Sequence, residues 1–138
     1  MERRFELLPE AVQVHLENGD DPDEIGPVLV EAAQLAFDRH VQALLVISGL
    51  GDPATSESVS SALEQIHASG AAPGRIAFVA YTLRQYATYH FAERYASRFG
   101  ITAKVMVSTR DARAWLGLRE DAGARADAPA SAGVPFRS

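Results

Sequence analysis

Three short apolar runs, each followed by a segment with helical periodicity, constrain the fold of this chain more than any other feature. The runs lie at residues 43–47, 76–80 and 103–107. The helical segments that follow them lie at about 55–69, 83–99 and 110–118. Because strands that alternate with helices at this spacing form mostly parallel sheets covered by helices, the rhythm predicts the α/β class. Function is then expected at the loops that leave the carboxyl ends of the strands.

Two alternating segments near the start, at 4–8 and 12–17, predict two further strands. Pro9 and its neighbours suit a hairpin-like turn between them. One face of the second strand carries Val12, Val14 and Leu16, and the other carries Gln13, His15 and Glu17. We therefore expect this strand to be half-buried.

A first helix is predicted over about 22–40, before the central strand at 41–50. Its apolar stripe consists of Ile25, Val28, Leu29, Ala32, Leu35 and Ala36. The central strand is apolar at consecutive positions, which is typical of a strand covered on both faces. The predicted order is β-β-α-β-α-β-α-β-α, with a mixed, mostly parallel sheet of four or five strands.

The later helices have apolar positions of their own. The second carries Val59, Ala62, Leu63 and Ile66. The third carries a ridge of Leu83, Ala87, Phe91 and Tyr95, continued by Phe99. In the last helix we expect Ala112, Trp115 and Leu116 to point inward. The composition shifts after Gly117, so we predict a domain over 1–118 and a flexible tail over 119–138.

Length and charge exclude several classes of protein. The 138 residues suffice for one domain with a real core. The net charge is −5, which disfavours nucleic-acid binding because phosphates need a basic face. The basic residues from 94 to 113 are interpreted as a solvated helix surface. The chain has no cysteine, which excludes disulfides, zinc–thiolate sites and cysteine nucleophiles.

No targeting or catalytic motif stands out. The N-terminal residues lack the apolar region of a signal peptide, and no apolar run approaches the roughly 20 residues of a membrane span. We expect a cytoplasmic protein without a transmembrane segment. The sequence contains no G-x-S-x-G, phosphate-loop or dinucleotide fingerprint, and its four histidines lack metal-ligand spacing. We therefore predict no catalytic residue, metal or cofactor.

One candidate site lies at the predicted start of the second helix. It consists of Asp52, Thr55, Ser56 and Ser58. A helix N-terminus offers unpaired N–H groups and a positive dipole to an anion or a phosphate. A phosphate attached there would change the local charge by almost two units. The alternative is that these residues only cap the helix.

A second candidate site is aromatic. It consists of Tyr81, Tyr86, Tyr89 and His90, around the start of the third helix. Tyr81 closes its strand at the edge where such sheets bind ligands. The cluster suits a pocket or a protein interface. The alternative is that the rings pack on the sheet with their hydroxyls in water.

The pattern resembles the STAS domain, and more closely its SpoIIAA-like bacterial relatives. The N-terminal strand pair, the segment 43–50 (ALLVISGL), the segment 75–82 (RIAFVAYT) and the segment 91–116 (FAERYASRFGITAKVMVSTRDARAWL) carry the resemblance. It implies a non-enzymatic regulatory or protein-interaction module, here expected to be a homodimer. In the anti-sigma-factor antagonists of this family, a serine at the start of the second helix is phosphorylated. This chain departs from their D-S-S-G motif, although Thr55, Ser56 and Ser58 occupy roughly its place.

A second class of function stays open, namely binding of a small apolar or anionic ligand at the carboxyl end of the sheet. The two hypotheses differ in an observable feature. A binder needs a closed apolar pocket under Tyr81 and Tyr86, whereas an interaction module needs an exposed apolar patch of several hundred Å². A receiver-type phosphoacceptor ranks lower, because the central strand ends in Ser48-Gly49 rather than in an acidic cluster.

Overall fold

A computed structural model of the chain describes residues 5–16, 22–49 and 55–118. The strands are β1 (Phe5–Leu8), β2 (Ala11–Leu16), β3 (Ala43–Ser48), β4 (Arg75–Val79) and β5 (Thr102–Met106). The helices are α1 (Pro22–Asp38), α2 (Ser56–Ser69), α3 (Leu83–Ala96) and α4 (Thr109–Leu116), and a 3₁₀ turn (Ser97–Phe99) extends α3. The predicted order is confirmed. Asp52 and the predicted tail over 119–138 lie outside the described residues.

The five strands form one sheet in the order β1-β2-β3-β4-β5. β1 pairs with β2 antiparallel, and the other three pairs are parallel. Each parallel connection joins neighbouring strands, and such crossovers are right-handed, so α1, α2 and α3 lie side by side on one face. The predicted mixed, mostly parallel sheet is therefore confirmed with five strands.

The main core lies between this helix layer and the sheet. From the sheet it includes Val14, Leu44, Val46, Ile76 and Phe78. From α1 it includes Ile25, Leu29, Ala32 and Ala36, and from α2 all four predicted positions, Val59, Ala62, Leu63 and Ile66. The periodicity of the first two helices therefore identified their buried faces correctly.

A smaller core covers the opposite face of the sheet, where α4 returns across β3, β4 and β5. Its buried members are Ala11, Ala43, Leu45, Ile47, Ala77, Val79, Ala112 and Leu116. Every residue of β3 is buried, as its unbroken apolar run predicts. Trp115 is partly buried against this core, and the guanidinium of Arg75 lies 5.4 Å from its ring centroid.

The expectation that β2 is half-buried is wrong at Gln13. Its side chain is buried, because α4 brings Arg113 over this face. The Arg113 guanidinium donates a 2.9 Å hydrogen bond to Gln13 Oε1, and Gln13 Nε2 donates to Glu6 Oε1 at 3.3 Å. A polar side chain is tolerated there because both ends of its amide are hydrogen-bonded.

The ends of α1 and α4 are held by different devices. At α1, His40 adopts a left-handed φ of 61°. Its N–H donates to Phe37 O at 3.1 Å, and that of Val41 donates to Ala36 O at 2.9 Å, which is the Schellman pattern. At α4, the Arg75 guanidinium donates to the carbonyls of Trp115 and Leu116 at 2.9 and 3.1 Å. These bonds satisfy carbonyls that the helix leaves free.

The predicted apolar ridge of the third helix is not its buried face. The buried residues of α3 are Gln85, Thr88, Tyr89, Ala92 and Ala96. Leu83 is 86% exposed and Phe91 is 40% exposed. The ring of Tyr89 stacks on Phe78 at 4.5 Å and fills the space above the sheet, so the rest of this inner face consists of small or polar residues. Packing against β4 and β5 therefore turns Leu83 and Phe91 outward, while Tyr95 and Phe99 at the other end of the ridge stay partly buried against the core.

Candidate functional site

The carboxyl ends of the parallel strands meet at one edge of the sheet, where α2 and α3 also begin. Two backbone hydrogen bonds continue the ladder past the strand ends. Gly49 N donates to Leu16 O at 2.7 Å, and Ala80 N donates to Met106 O at 2.9 Å. The loops at this edge are therefore tied to their neighbours as soon as they leave the sheet.

Gln85 is the buried polar side chain that joins two of these loops. Its Oε1 accepts from Tyr81 N at 2.7 Å and from Thr82 N at 3.2 Å, and its Nε2 donates to Gly49 O at 2.7 Å. The β3–α2 loop is thereby joined to the first turn of α3. Our reading of the sequence missed Gln85, although Thr82-x-x-Gln85 is a capping-box signature.

The first candidate site resolves into a helix cap and one exposed hydroxyl. Thr55 Oγ1 accepts from Ser58 N at 3.0 Å, while Ser58 Oγ accepts from Thr55 N at 2.8 Å and donates to Thr55 O at 3.0 Å. These two residues form the capping box of α2. Ser56 is exposed in the first turn of α2. The structure brings these three together, and Asp52 lies outside the described residues.

Ser48 introduces a polar atom that sequence reasoning did not single out. Its side chain is only 1% exposed, and Oγ has no hydrogen-bond partner in the described part of the chain. It lies two residues after Val46 and therefore on the same, helix-covered face of β3, at the carboxyl end of the strand. A buried hydroxyl without a partner is unfavourable, so this position is a candidate contact for a small polar group.

The second candidate site divides into an exposed part and a buried part. Tyr81 and Tyr86 are exposed by 49% and 39%. The rings of Tyr86 and His90 stack with centroids 6.3 Å apart, and His90 Nδ1 lies 3.6 Å from Glu93 Oε1. Tyr89 is fully buried in the main core, so its side chain is not accessible to another protein. Its inclusion in a surface cluster is corrected, because α3 turns this ring toward the sheet.

Two more exposed apolar side chains join the exposed tyrosines at this edge. Leu83 is 86% exposed and Val107 is 64% exposed. Val107 directly follows β5, and Tyr81 and Leu83 follow the neighbouring β4. We call Tyr81, Leu83, Tyr86 and Val107 the apolar end. Sequence reasoning placed Leu83 in the apolar ridge of the third helix and Val107 in a strand, and it named neither as a site residue.

The described side chains of the site offer apolar contacts and hydrogen bonds. No group of three His, Asp or Glu side chains within the described ranges is arranged to hold a metal ion. None of the helices in those ranges is long and apolar enough to cross a membrane. The side chains of the apolar end suit non-covalent recognition.

Comparisons of the chain with protein-family models, with curated proteins and with solved structures found no match. The function therefore has to be inferred from the residues of the chain itself.

Proposed function

We propose that this protein is a non-enzymatic interaction module of the bacterial cytoplasm that resembles STAS and SpoIIAA-like domains. The observation that carries the proposal is the exposure of the apolar end. Four large apolar side chains stand in solvent at the edge where sheets of this class bind their partners. Isolated exposed apolar residues are ordinary, but four that follow two neighbouring strands at one edge of the sheet favour a docking surface.

The hydrogen bonds that hold the loop of the apolar end in place support this function. Gln85 fixes the loop that carries Tyr81 to the neighbouring loop through three hydrogen bonds. A docking surface that is already ordered loses less conformational entropy when its partner binds. Apolar burial stabilises a complex by about 25 cal/mol for each Å² removed from water, so these side chains are effective anchors. Tyrosine is also among the residues enriched at interfaces.

We further propose that the apolar end joins two copies of the chain in a homodimer. Sedimentation velocity of wild type and of the double variant Leu83→Ser/Tyr86→Ser tests this. Wild type should sediment as a dimer and the double variant as a monomer with unchanged circular dichroism. Phe37→Ser is the matched control, because Phe37 is a 54% exposed aromatic on α1, away from this edge. A double variant that sediments like wild type would contradict the proposed interface.

Phosphorylation of Ser56 is the proposed control of this module. Thr55 and Ser58 use their hydroxyls in the capping box, whereas Ser56 is exposed. The positive end of the helix dipole favours a phosphate there. Mass spectrometry of protein purified from its native cells should place phosphate on Ser56 and lose it in Ser56→Ala. Phosphate found only elsewhere, or none under any growth condition, would remove this part of the proposal.

The unpartnered hydroxyl of Ser48 favours one second candidate, a binder of a small polar or anionic ligand. Such a ligand would have to reach a side chain that is 1% exposed. Ser48→Ala separates the candidates. In a ligand binder it should remove a co-purifying small molecule, whereas in an interaction module it should leave self-association unchanged.

A further inference from the structure

The outer face of α3 and its 3₁₀ turn carries a groove of about 740 Å³, which adjoins the apolar end where His90 stacks on Tyr86. Its lining includes Ala87, His90, Phe91, Arg94, Tyr95 and Arg98. The volume lies within the range of known ligand sites. On this face Phe91 of the apolar ridge is exposed, and Tyr95 is partly buried. We call it the aromatic–arginine groove.

The aromatic side of the groove is held in place by contacts with neighbouring rings. Phe91 stacks on Tyr95 at 5.8 Å, and Tyr95 meets Phe99 edge-on at 5.6 Å. The Tyr95 hydroxyl donates a hydrogen bond to the Glu64 carboxylate of α2, and this bond raises the pKa of Tyr95. The rings therefore provide a fixed apolar wall on a helix that is itself anchored in the core.

The acidic side chains near the groove are already engaged. Glu93 Oε2 accepts from Val105 N at 2.6 Å, which satisfies an outward-facing N–H of the edge strand β5. Glu64 accepts from Tyr95. Arg94 and Arg98 are exposed, and neither has a carboxylate within ion-pair distance among the described residues. Arg98 instead lies 5.2 Å from the Tyr95 ring centroid. Two guanidiniums thus remain available beside an apolar wall.

The charge of this segment is opposite to that of the whole chain. Residues 83–99 contain three arginines and one glutamate, a net charge of +2, whereas the chain carries −5. The remaining residues therefore carry −7. Among the described residues, the lining of the groove holds two arginines and no carboxylate, which favours an acidic occupant that touches the groove and little else.

We propose that the aromatic–arginine groove binds an acidic segment of a partner protein, with carboxylates on Arg94 and Arg98 and an apolar side chain against Phe91. The helix rises about 16 Å from Ala87 to Arg98, which an extended segment of roughly five residues spans. Guanidiniums recognise carboxylates bidentately, so the geometry suits glutamate or aspartate side chains. The inference rests on the proposed protein-binding function, and the groove adjoins the apolar end without including any of its four residues.

A short peptide fits this charge distribution better than a membrane or a nucleic acid. A broad anionic surface would also face the acidic remainder of the molecule and be repelled by it. A five-residue segment avoids that repulsion because it lies within the groove.

The test is a fluorescence-anisotropy titration of the full chain at low salt with a pair of peptides and two other probes. The first is a labelled peptide of alternating glutamate and leucine, compared with the same peptide carrying glutamine for glutamate. The others are vesicles containing phosphatidylserine and a single-stranded oligonucleotide. We expect the acidic peptide to bind about tenfold more tightly than its glutamine counterpart. The double variant Arg94→Gln/Arg98→Gln should abolish that preference, while Arg110→Gln, an exposed arginine on α4, should keep it.

Equal binding of the two peptides, no binding of either, or a preference that survives the double variant would overturn the inference. Tighter binding of the vesicles or the oligonucleotide would also overturn it. The sedimentation of Leu83→Ser/Tyr86→Ser is measured separately. The groove can therefore fail while self-association persists, and self-association can fail while peptide binding persists.

Discussion

Helices α2 and α3 begin at the same edge of the sheet with the same capping motif, yet their surroundings differ. At α2 the box is Thr55 with Ser58, and at α3 it is Thr82 with Gln85. The serine side chain bonds only within its own cap, whereas Gln85 also reaches Gly49 O on the neighbouring loop. One longer side chain thus converts a local cap into a tie between two loops.

The first helical residues of α2 and α3 also differ in polarity. The first helical residue is Ser56 at α2 and Leu83 at α3. The start of α2 therefore presents a hydroxyl at a positive helix end, and the start of α3 presents apolar side chains on a fixed loop. Two helix starts with the same capping chemistry therefore present different side chains to solvent, a hydroxyl at α2 and an apolar group at α3.

The largest effect is expected for Gln85→Ala. The substitution leaves Gly49 O, Tyr81 N and Thr82 N without their side-chain partner, which should lower the free energy of unfolding by about 2–3 kcal/mol. Urea unfolding measures this. Gln85→Glu is the control, because it keeps the acceptor for the loop N–H groups and loses the donor to Gly49. A loss of unfolding free energy no larger than the roughly 1 kcal/mol expected for a helix cap alone would show that the tie between the loops is unimportant.

A smaller effect is expected for Ser58→Ala at the other cap. It removes one side-chain partner at an exposed helix start, so it should cost about 1 kcal/mol in the same unfolding experiment. A cost equal to that of Gln85→Ala would erase the difference between the two helix starts.

A substitution at the end of α1 provides a reference stability change that involves neither the apolar end nor the aromatic–arginine groove. His40 holds a left-handed backbone conformation that glycine adopts without a steric penalty. We expect His40→Gly to raise the free energy of unfolding by about 1 kcal/mol and to leave self-association unchanged. A destabilised variant would mean that the imidazole makes a contact worth more than the backbone strain.

The smallest effect on stability is expected for Leu83→Ser. Because Leu83 is almost fully exposed, its loss should change the free energy of unfolding by no more than about 0.5 kcal/mol. Thermal unfolding of the dilute monomer measures this. A large loss of unfolding free energy would show that Leu83 packs within its own chain. That result would argue against a docking role for Leu83.

The order of elements could be predicted because each signal was local. Consecutive apolar residues marked β3, and the stripes of α1 and α2 matched faces that only one layer covers. Gly70 also ends α2 with a left-handed φ of 81°, as its place after the helical period indicates. Such features need no knowledge of the neighbouring elements.

The candidate site was only partly predictable, because its members depend on tertiary packing. The four-residue spacing of Leu83, Ala87 and Phe91 correctly predicted an apolar row but could not indicate that Tyr89 occupies the space over the sheet. The burial of Gln13 likewise depends on Arg113, one hundred positions away along the chain. Hydroxyls near the start of α2 were found because capping is local, whereas the tie through Gln85 joins two distant loops.

Native mass spectrometry of the untagged chain tests whether the apolar end is a docking surface. We expect a species of twice the 14.9 kDa chain mass without a bound small molecule, and a single-chain species for Leu83→Ser/Tyr86→Ser. A single-chain species in both proteins, or wild type carrying a small molecule that Ser48→Ala removes, would contradict it.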